Sequence, residues 1–202
     1  MRRKQIISVC RHLYKKGLLV SSEGNVSAKI GSSKILITPS GKRKGFLTDL
    51  VVVSLGEKRT PPGASVEYPL HREIYRVRSD VRCVIHAHPP FAIACSLAGV
   101  SLRRPFLAET SIAFGTIPTL PYRTPSTVAL AKGLGRSIRN HSAVVLGKHG
   151  AVTVGATLEE ALDRMEQLEQ VAKIACLAQL MGRLPWLNKK ELKALEKIRQ
   201  RL

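Results

Sequence analysis

His86 and His88 stand two residues apart in "VIHAHPPF", at the end of an apolar run and just before two prolines. In a strand, residues i and i+2 share a face, so both imidazoles project from the sheet's end into one cleft. Imidazole is a favoured ligand for Zn2+ and similar divalent metals. Two ligands do not make a firm site. "VVLGKHGAV" supplies a third, His149, in a turn that Gly147 and Gly150 allow to bend sharply. Glu67 supplies a carboxylate in the first turn of a predicted helix, with His71 four residues on along the same face. Three histidines and a carboxylate that substrate can displace suit a catalytic Zn2+ site. A plainer reading stands beside this one, because histidines at strand ends often only tie the strand to a loop. His12 and His141 are read that way, and His71 as a support rather than a ligand.

A second set of residues suits an anion. Gly24-Asn25-Val26-Ser27, Thr38-Pro39-Ser40-Gly41 and Ser65 at a helix start are polar turns. Backbone N–H groups and hydroxyls in such turns can cradle a phosphate if they converge, though each alone is simply a turn. No Gly-x-x-x-x-Gly-Lys-Ser/Thr loop is present, which argues against nucleoside triphosphate binding of that kind.

The elements that must position these residues follow from periodicity and punctuation. Residues 3–16 carry Ile6, Val9, Cys10 and Leu13 at helical spacing, with Gly17 as the stop. Residues 26–30 and 34–38 read as a hairpin, and "VVVSL" from residue 51 as a buried strand. Helical spacing covers residues 66–77, with Ser65 as a possible cap and Pro69 in the first turn. Strands are predicted at 81–86, 116–120, 143–146 and 151–154, and helices at 90–97 and 126–139. Thr157 and Glu160 form a capping box for a long apolar stripe that Gly182 and Pro185 end. Asn188 with Glu191 opens a last, basic helix over about 188–202, with Leu192, Leu195, Ile198 and Leu202 on one face. Mixed strands and helices with a hairpin near the start predict an α/β sheet, at least partly antiparallel, with helices packed on it.

Length and composition narrow the class. A chain of 202 residues, read as one domain over 1–202, can bury a core without disulfides or a structural metal. Cys10, Cys83, Cys95 and Cys176 are widely spaced with no Cys-x-x-Cys pattern, which predicts free thiols in a reducing, cytoplasmic setting. The basic N-terminus lacks a signal-length apolar stretch, and no run approaches membrane-spanning length. The net charge of +19 is spread over several clusters, Lys42-Arg43-Lys44 among them, and aromatics are only 4%, so specific nucleic-acid binding is disfavoured. Most of this charge reads as a solvated surface that attracts anionic substrates.

The order "EGNVSAKI", "ILITPSGK", "SVEYPLHREIYRVRSDVRCVIHAHPPFA", "IPTLPY", "VVLGKHGAVTVG" and "TLEEALDRMEQLEQVAKIA" resembles the class II aldolase/adducin-type family over roughly residues 3–181. That family includes L-fuculose-1-phosphate aldolase, the nearest pattern, and L-ribulose-5-phosphate 4-epimerase. The resemblance implies a three-layer α/β/α sandwich with a mainly antiparallel central sheet. It also implies a homotetramer with active sites at subunit contacts. It makes His86, His88 and His149 the ligands of Zn2+, with Fe2+, Mn2+ or Co2+ as chemical alternatives. Glu67 becomes the metal-proximal carboxylate and general base, and Asn25, Ser40, Gly41 and Ser65 the phosphate holders. The implied reaction is reversible cleavage of a ketose 1-phosphate to dihydroxyacetone phosphate and an aldehyde. The alternatives are the epimerase, a sugar-phosphate dehydratase, or a non-catalytic adducin-like module, against which the intact histidines argue.

Three departures from the pattern matter. Val66 stands where the fuculose-phosphate aldolases have a second serine, which removes one hydroxyl contact to phosphate. Lys148 stands where many members have asparagine, and is read as facing solvent. The aldolase's neighbouring-subunit tyrosine, its proton donor, has no counterpart. Leu107 or its neighbours align there, with Glu109 two residues on, either an acid/base group or an interface carboxylate. Tyr122 is read as structural.

Overall fold

A computed structural model describes residues 2–201, so Leu202 of the predicted last helix lies outside the described residues. Its centre is a seven-stranded sheet in the order β3-β2-β1-β4-β7-β6-β5. The strands are β1 (Asn25–Lys29), β2 (Lys34–Ile37), β3 (Val51–Ser54), β4 (Cys83–Ala87), β5 (Thr119–Leu120), β6 (Ala143–Leu146) and β7 (Gly150–Gly155). Every pairing is antiparallel except β5 on β6. The helices are α1 (Arg2–Lys15), α2 (Tyr68–Val77), α3 (Pro90–Ala98), α4 (Ala108–Phe114), α5 (Val128–Ile138), α6 (Leu158–Leu180) and α7 (Lys189–Arg199).

Strand alternation assigns each side chain to one of two cores. Cys83, Ile85 and Ala87 of β4 face a core that holds Ile6, Val9 and Leu13 of α1, Cys95 of α3, and Met165 and Leu168 of α6. Val84 of the same strand faces the other core, with Leu70 and Ile74 of α2 and Leu130, Leu134 and Ile138 of α5. The result is the predicted α/β/α sandwich with a mainly antiparallel sheet. β4 is buried at all five positions because helices cover both its faces.

Four local expectations change. β3 is an edge strand, with Val52 49% exposed, because its only sheet neighbour is β2. The strand predicted over 116–120 shortens to two residues. α4 was not anticipated: its seven residues are too few to show a helical period. At α6, Thr157 accepts from Glu160 N, but the Glu160 carboxylate accepts from Ala156 N rather than from the cap's own N–H. The reciprocal capping box is complete at α7, between Asn188 and Glu191.

Candidate metal centre

β4 and β7 pair with His86 opposite Val152 and Ala87 opposite Ala151, so His149 enters just before β7, beside the end of β4. One ring nitrogen from each of His86, His88 and His149 lies within 4.8 Å of the other two. The Nε2 atoms of His86 and His88 are 3.2 Å apart, as expected of residues i and i+2. Two glycines make room for this convergence. A Cβ on Gly150 would stand 2.4 Å from Ala87 O and 2.7 Å from the His88 ring, and one on Gly24 would stand 2.8 Å from His86 O. Gly150→Ala is therefore expected to cost about 1–3 kcal/mol in denaturant unfolding and to weaken Zn2+ binding by about tenfold or more. Unchanged Zn2+ affinity by calorimetry would show that the histidines do not need this close approach.

Two of the three rings are held from behind. His86 Nδ1 bonds Ala151 O at 3.0 Å, which leaves Nε2 facing the cluster. His88 Nδ1 meets the Glu23 carboxylate at 3.0 Å, a partner with no distinguishing mark in the sequence. The α3 N-terminus that follows His88 is capped by Glu169, whose carboxylate accepts from Phe91 N and Ala92 N.

Glu67 is the residue just before α2 and is 6% exposed. Its Oε2 lies 2.9 Å from His86 Nε2 and its Oε1 3.7 Å from His149 Nε2. Burial pushes the Glu67 carboxyl up, but His86, Asn25 and His149 outweigh it and hold the group ionised. Burial pulls His86 down, yet the Glu67 charge and hydrogen bond, with Ala151 O, leave it raised. His149 is lowered to about 4, by burial first and then by His86, and His88 is lowered for the same reasons. In the absence of metal, the Glu67 charge thus favours the charged form of His86, while burial and His86 favour the neutral forms of His149 and His88. Glu67 Oε1 and His149 Nδ1 are buried with no hydrogen-bond partner among the described residues. A set of three ring nitrogens and an orphaned carboxylate oxygen fits a divalent metal of the Zn2+ type.

The three polar turns converge. Ser40 N bonds Gly63 O, Ser65 N bonds Thr38 O, and Thr38 N bonds Val26 O, each at 3.0–3.1 Å. Asn25 and Ser65 are buried, while Ser40 and Gly41 are exposed. Ser65 Oγ accepts from Glu67 N at 3.3 Å, but the N-cap of α2 is Glu67 itself, so the serine braces the turn before the helix instead of capping it. Val66 is 55% exposed and Lys148 faces solvent in a left-handed conformation (φ 59°). Lys44 departs from its expected place on the solvated surface, being only 1% exposed. Its Nζ donates to Ser22 O, Lys42 O and Pro39 O, clamping the turn before Asn25 to the Ser40-Gly41 turn. Nothing in the basic run distinguishes it from Lys42 and Arg43.

Glu109 lies apart from these groups. It is exposed in the first turn of α4 and lines a cavity of about 870 Å³ with Phe91, Thr110 and Glu166, whose lining includes none of the three histidines. His12 lies on α1 and pairs with Glu166 of α6, so it does not tie a strand end to a loop as expected, while His141, just before β6, bonds Ser137 O through Nδ1.

The chain was compared with known proteins. The family described as Class II Aldolase and Adducin N-terminal domain matches residues 4–176. An L-fuculose phosphate aldolase of Methanococcus vannielii is 35% identical over 85% of this chain and 93% of its own. A 3-oxo-tetronate 4-phosphate decarboxylase of Pectobacterium atrosepticum is 30% identical over 85% of this chain and 82% of its own. The crystal structure of L-fuculose-1-phosphate aldolase from Thermus thermophilus superposes with a TM-score of 0.81 at 36% identity, covering 90% of this chain and 96% of that one. Fold, motif order and overall similarity agree: the chain belongs to the class II aldolase and adducin N-terminal domain family, close to its fuculose-phosphate aldolases.

Proposed function

We propose that this protein is a metal-dependent lyase that reversibly cleaves a ketose 1-phosphate, of the L-fuculose 1-phosphate type, to dihydroxyacetone phosphate and an aldehyde. The observation that carries the proposal is the buried, unpartnered Glu67 Oε1 beside three converging histidines. His86, His88 and His149, with Glu67 as a displaceable fourth group, would hold the cation, with Zn2+ as first choice and Fe2+, Mn2+ or Co2+ compatible with the same donors. Bound there, it would supply Lewis-acid stabilisation of the negative charge that develops when the carbon–carbon bond breaks.

The protein's own residues would do the rest. In the synthetic direction, Glu67 Oε1 takes a proton from the hydroxyl-bearing carbon of dihydroxyacetone phosphate. Asn25, Ser40, Gly41 and Ser65 bind the phosphate and so orient the reacting carbons. The proton donor on the aldehyde side is assigned to Glu109, acting across a subunit contact in a homotetramer. In support, the cavity that Glu109 lines includes none of the three histidines of its own chain. The catalytic unit is the whole chain, with α7 as its basic C-terminal helix. The cytoplasm is the proposed compartment: the four cysteines are free, and no helix among the described residues is long and apolar enough to cross a membrane.

The Pectobacterium relative favours a second reading. Decarboxylation of a 3-oxo sugar acid phosphate leaves a comparable negatively charged carbon and needs the same cation and phosphate cradle. Product analysis separates the two. Dihydroxyacetone phosphate should appear when the metal-loaded protein meets L-fuculose 1-phosphate or one of its stereoisomers. If it appears from none of them, the aldolase reading is wrong, and release of CO2 from 3-oxo-tetronate 4-phosphate would move the assignment to the second.

A further inference from the structure

Five polar side chains fill the seam between β1 and α2, and all are buried: Asn25, Ser27, Glu67, His71 and Tyr75 are between 0% and 6% exposed. Asn25 and Ser27 are i and i+2 on the strand, while Glu67, His71 and Tyr75 are i, i+4 and i+8 along the helix. The two series interleave. Asn25 Nδ2 donates to Glu67 Oε2 at 2.9 Å, and Asn25 Oδ1 meets His71 Nε2. His71 Nδ1 meets Ser27 Oγ at 2.7 Å, and Ser27 Oγ meets Tyr75 OH at 2.8 Å.

The proton positions follow from the acceptor at one end. An ionised carboxylate only accepts, so Asn25 must turn its amide nitrogen to Glu67 and its oxygen to His71. His71 must then carry its hydrogen on Nε2, and the uncharged ring accepts at Nδ1 from the Ser27 hydroxyl. With the serine hydrogen committed, Tyr75 donates in the last link, whose 2.8 Å is the shorter of its two contacts, the other being Arg82 O at 3.4 Å. Every hydrogen bond in the row points toward Glu67 Oε2, and none reaches Oε1. Aligned bonds polarise one another in a low-dielectric interior.

We infer that His71 is a positioning residue: through Asn25, the Tyr75–Ser27–His71 row ties down Glu67 Oε2 and leaves Oε1 as the single oxygen free to act as base. The inference deepens the proposed function and rests on Glu67 being the base. A row that served only to seat α2 on β1 would affect stability; this one also sets the rate of the proton transfer that Glu67 performs.

The test uses the Zn2+-loaded protein and dihydroxyacetone phosphate alone in D2O, where exchange of the carbon-bound proton reports the base and needs no aldehyde. His71→Leu should lower exchange at saturating substrate by about 10–100-fold, with KM changed less than about threefold and bound Zn2+ unchanged. His71→Gln places an amide N–H where Nε2–H stood and should recover most of the rate. His71→Asn reaches Ser27 but not Asn25 and should stay slow. Equal rates for the Gln and Asn variants, or losses that simply track Tm, would overturn the inference. Long-range 1H–15N spectra of the wild type give a readout independent of turnover. His71 should be the Nε2–H tautomer, and an Nδ1–H or doubly protonated ring overturns the row even if no variant folds. If the wild type catalyses no exchange while the tautomer is as stated, it is the base assignment and the aldolase reading that fall.

Discussion

Glu67→Gln is expected to keep its bound metal and lose turnover by about 10²–10⁴-fold, the range for removing a positioned general base. The substitution preserves shape, and Gln can still accept from Asn25 at one end of its amide. It cannot take a proton from carbon. The three histidines proposed to hold the cation are untouched, so metal content by elemental analysis should match the wild type. Glu67 is also a negative charge beside His86, so its removal should lower the His86 pKa in the metal-free protein. A variant that turns over at the wild-type rate would remove Glu67 from the mechanism. One that has lost its metal would make Glu67 chiefly a ligand.

Chelation should have the second large effect. Removing the metal is expected to abolish activity and lower thermal stability. Adding Zn2+ back at about 1,000 times its Kd should restore about 4 kcal/mol, because the ion binds the folded cluster and not the unfolded chain. His86→Ala should show neither loss nor recovery, since it deletes the fully buried ligand between the other two histidines and Glu67. The pH dependence has a definite sign. Glu67 raises the His86 pKa in the metal-free state, and an imidazole nitrogen must be unprotonated to bind a cation, so Zn2+ affinity should fall as pH drops. Purified protein without transition metal, and activity indifferent to chelator, would sink the metal centre.

Much of this site could be read from spacing. A two-residue interval on a strand puts His86 and His88 on one face wherever the strand ends. Glycines on both sides of Lys148-His149 announce a turn, although not that Gly150 is needed for the approach to Ala87 and His88. The i, i+4 relation of Glu67 and His71 shows a shared face. It does not show that Ser27 is the residue that meets that face, because the mating of β1 with α2 is a long-range fact with no local signature. Glu23 and Lys44 were illegible for the same reason. One is a carboxylate in a polar turn and the other the third member of a basic run, and only the packing of distant loops turns them into a histidine support and a clamp. The short α4 and the edge position of β3 fall outside what periodicity resolves: the first is under two turns long, and three valines in a row look alike at an edge or in the middle.

The sheet order bears on how such a site comes into being. β4 lies between β1 and β7, partners about sixty residues away on either side, so the histidines meet only after long loops have closed. With both its faces buried, and His86 its only polar side chain, β4 is also poorly protected by hydrophobic alternation against pairing one residue out of step. In such a slip, Gly24 and Gly150 no longer oppose the backbone that requires them. A cation gathered by this cluster cannot guide the chain toward it, since the ligands do not exist as a group until the sheet is assembled. Its grip would be exerted afterwards, on the rate at which the finished strands come apart, which would make the ion a determinant of the protein's lifetime rather than of its birth.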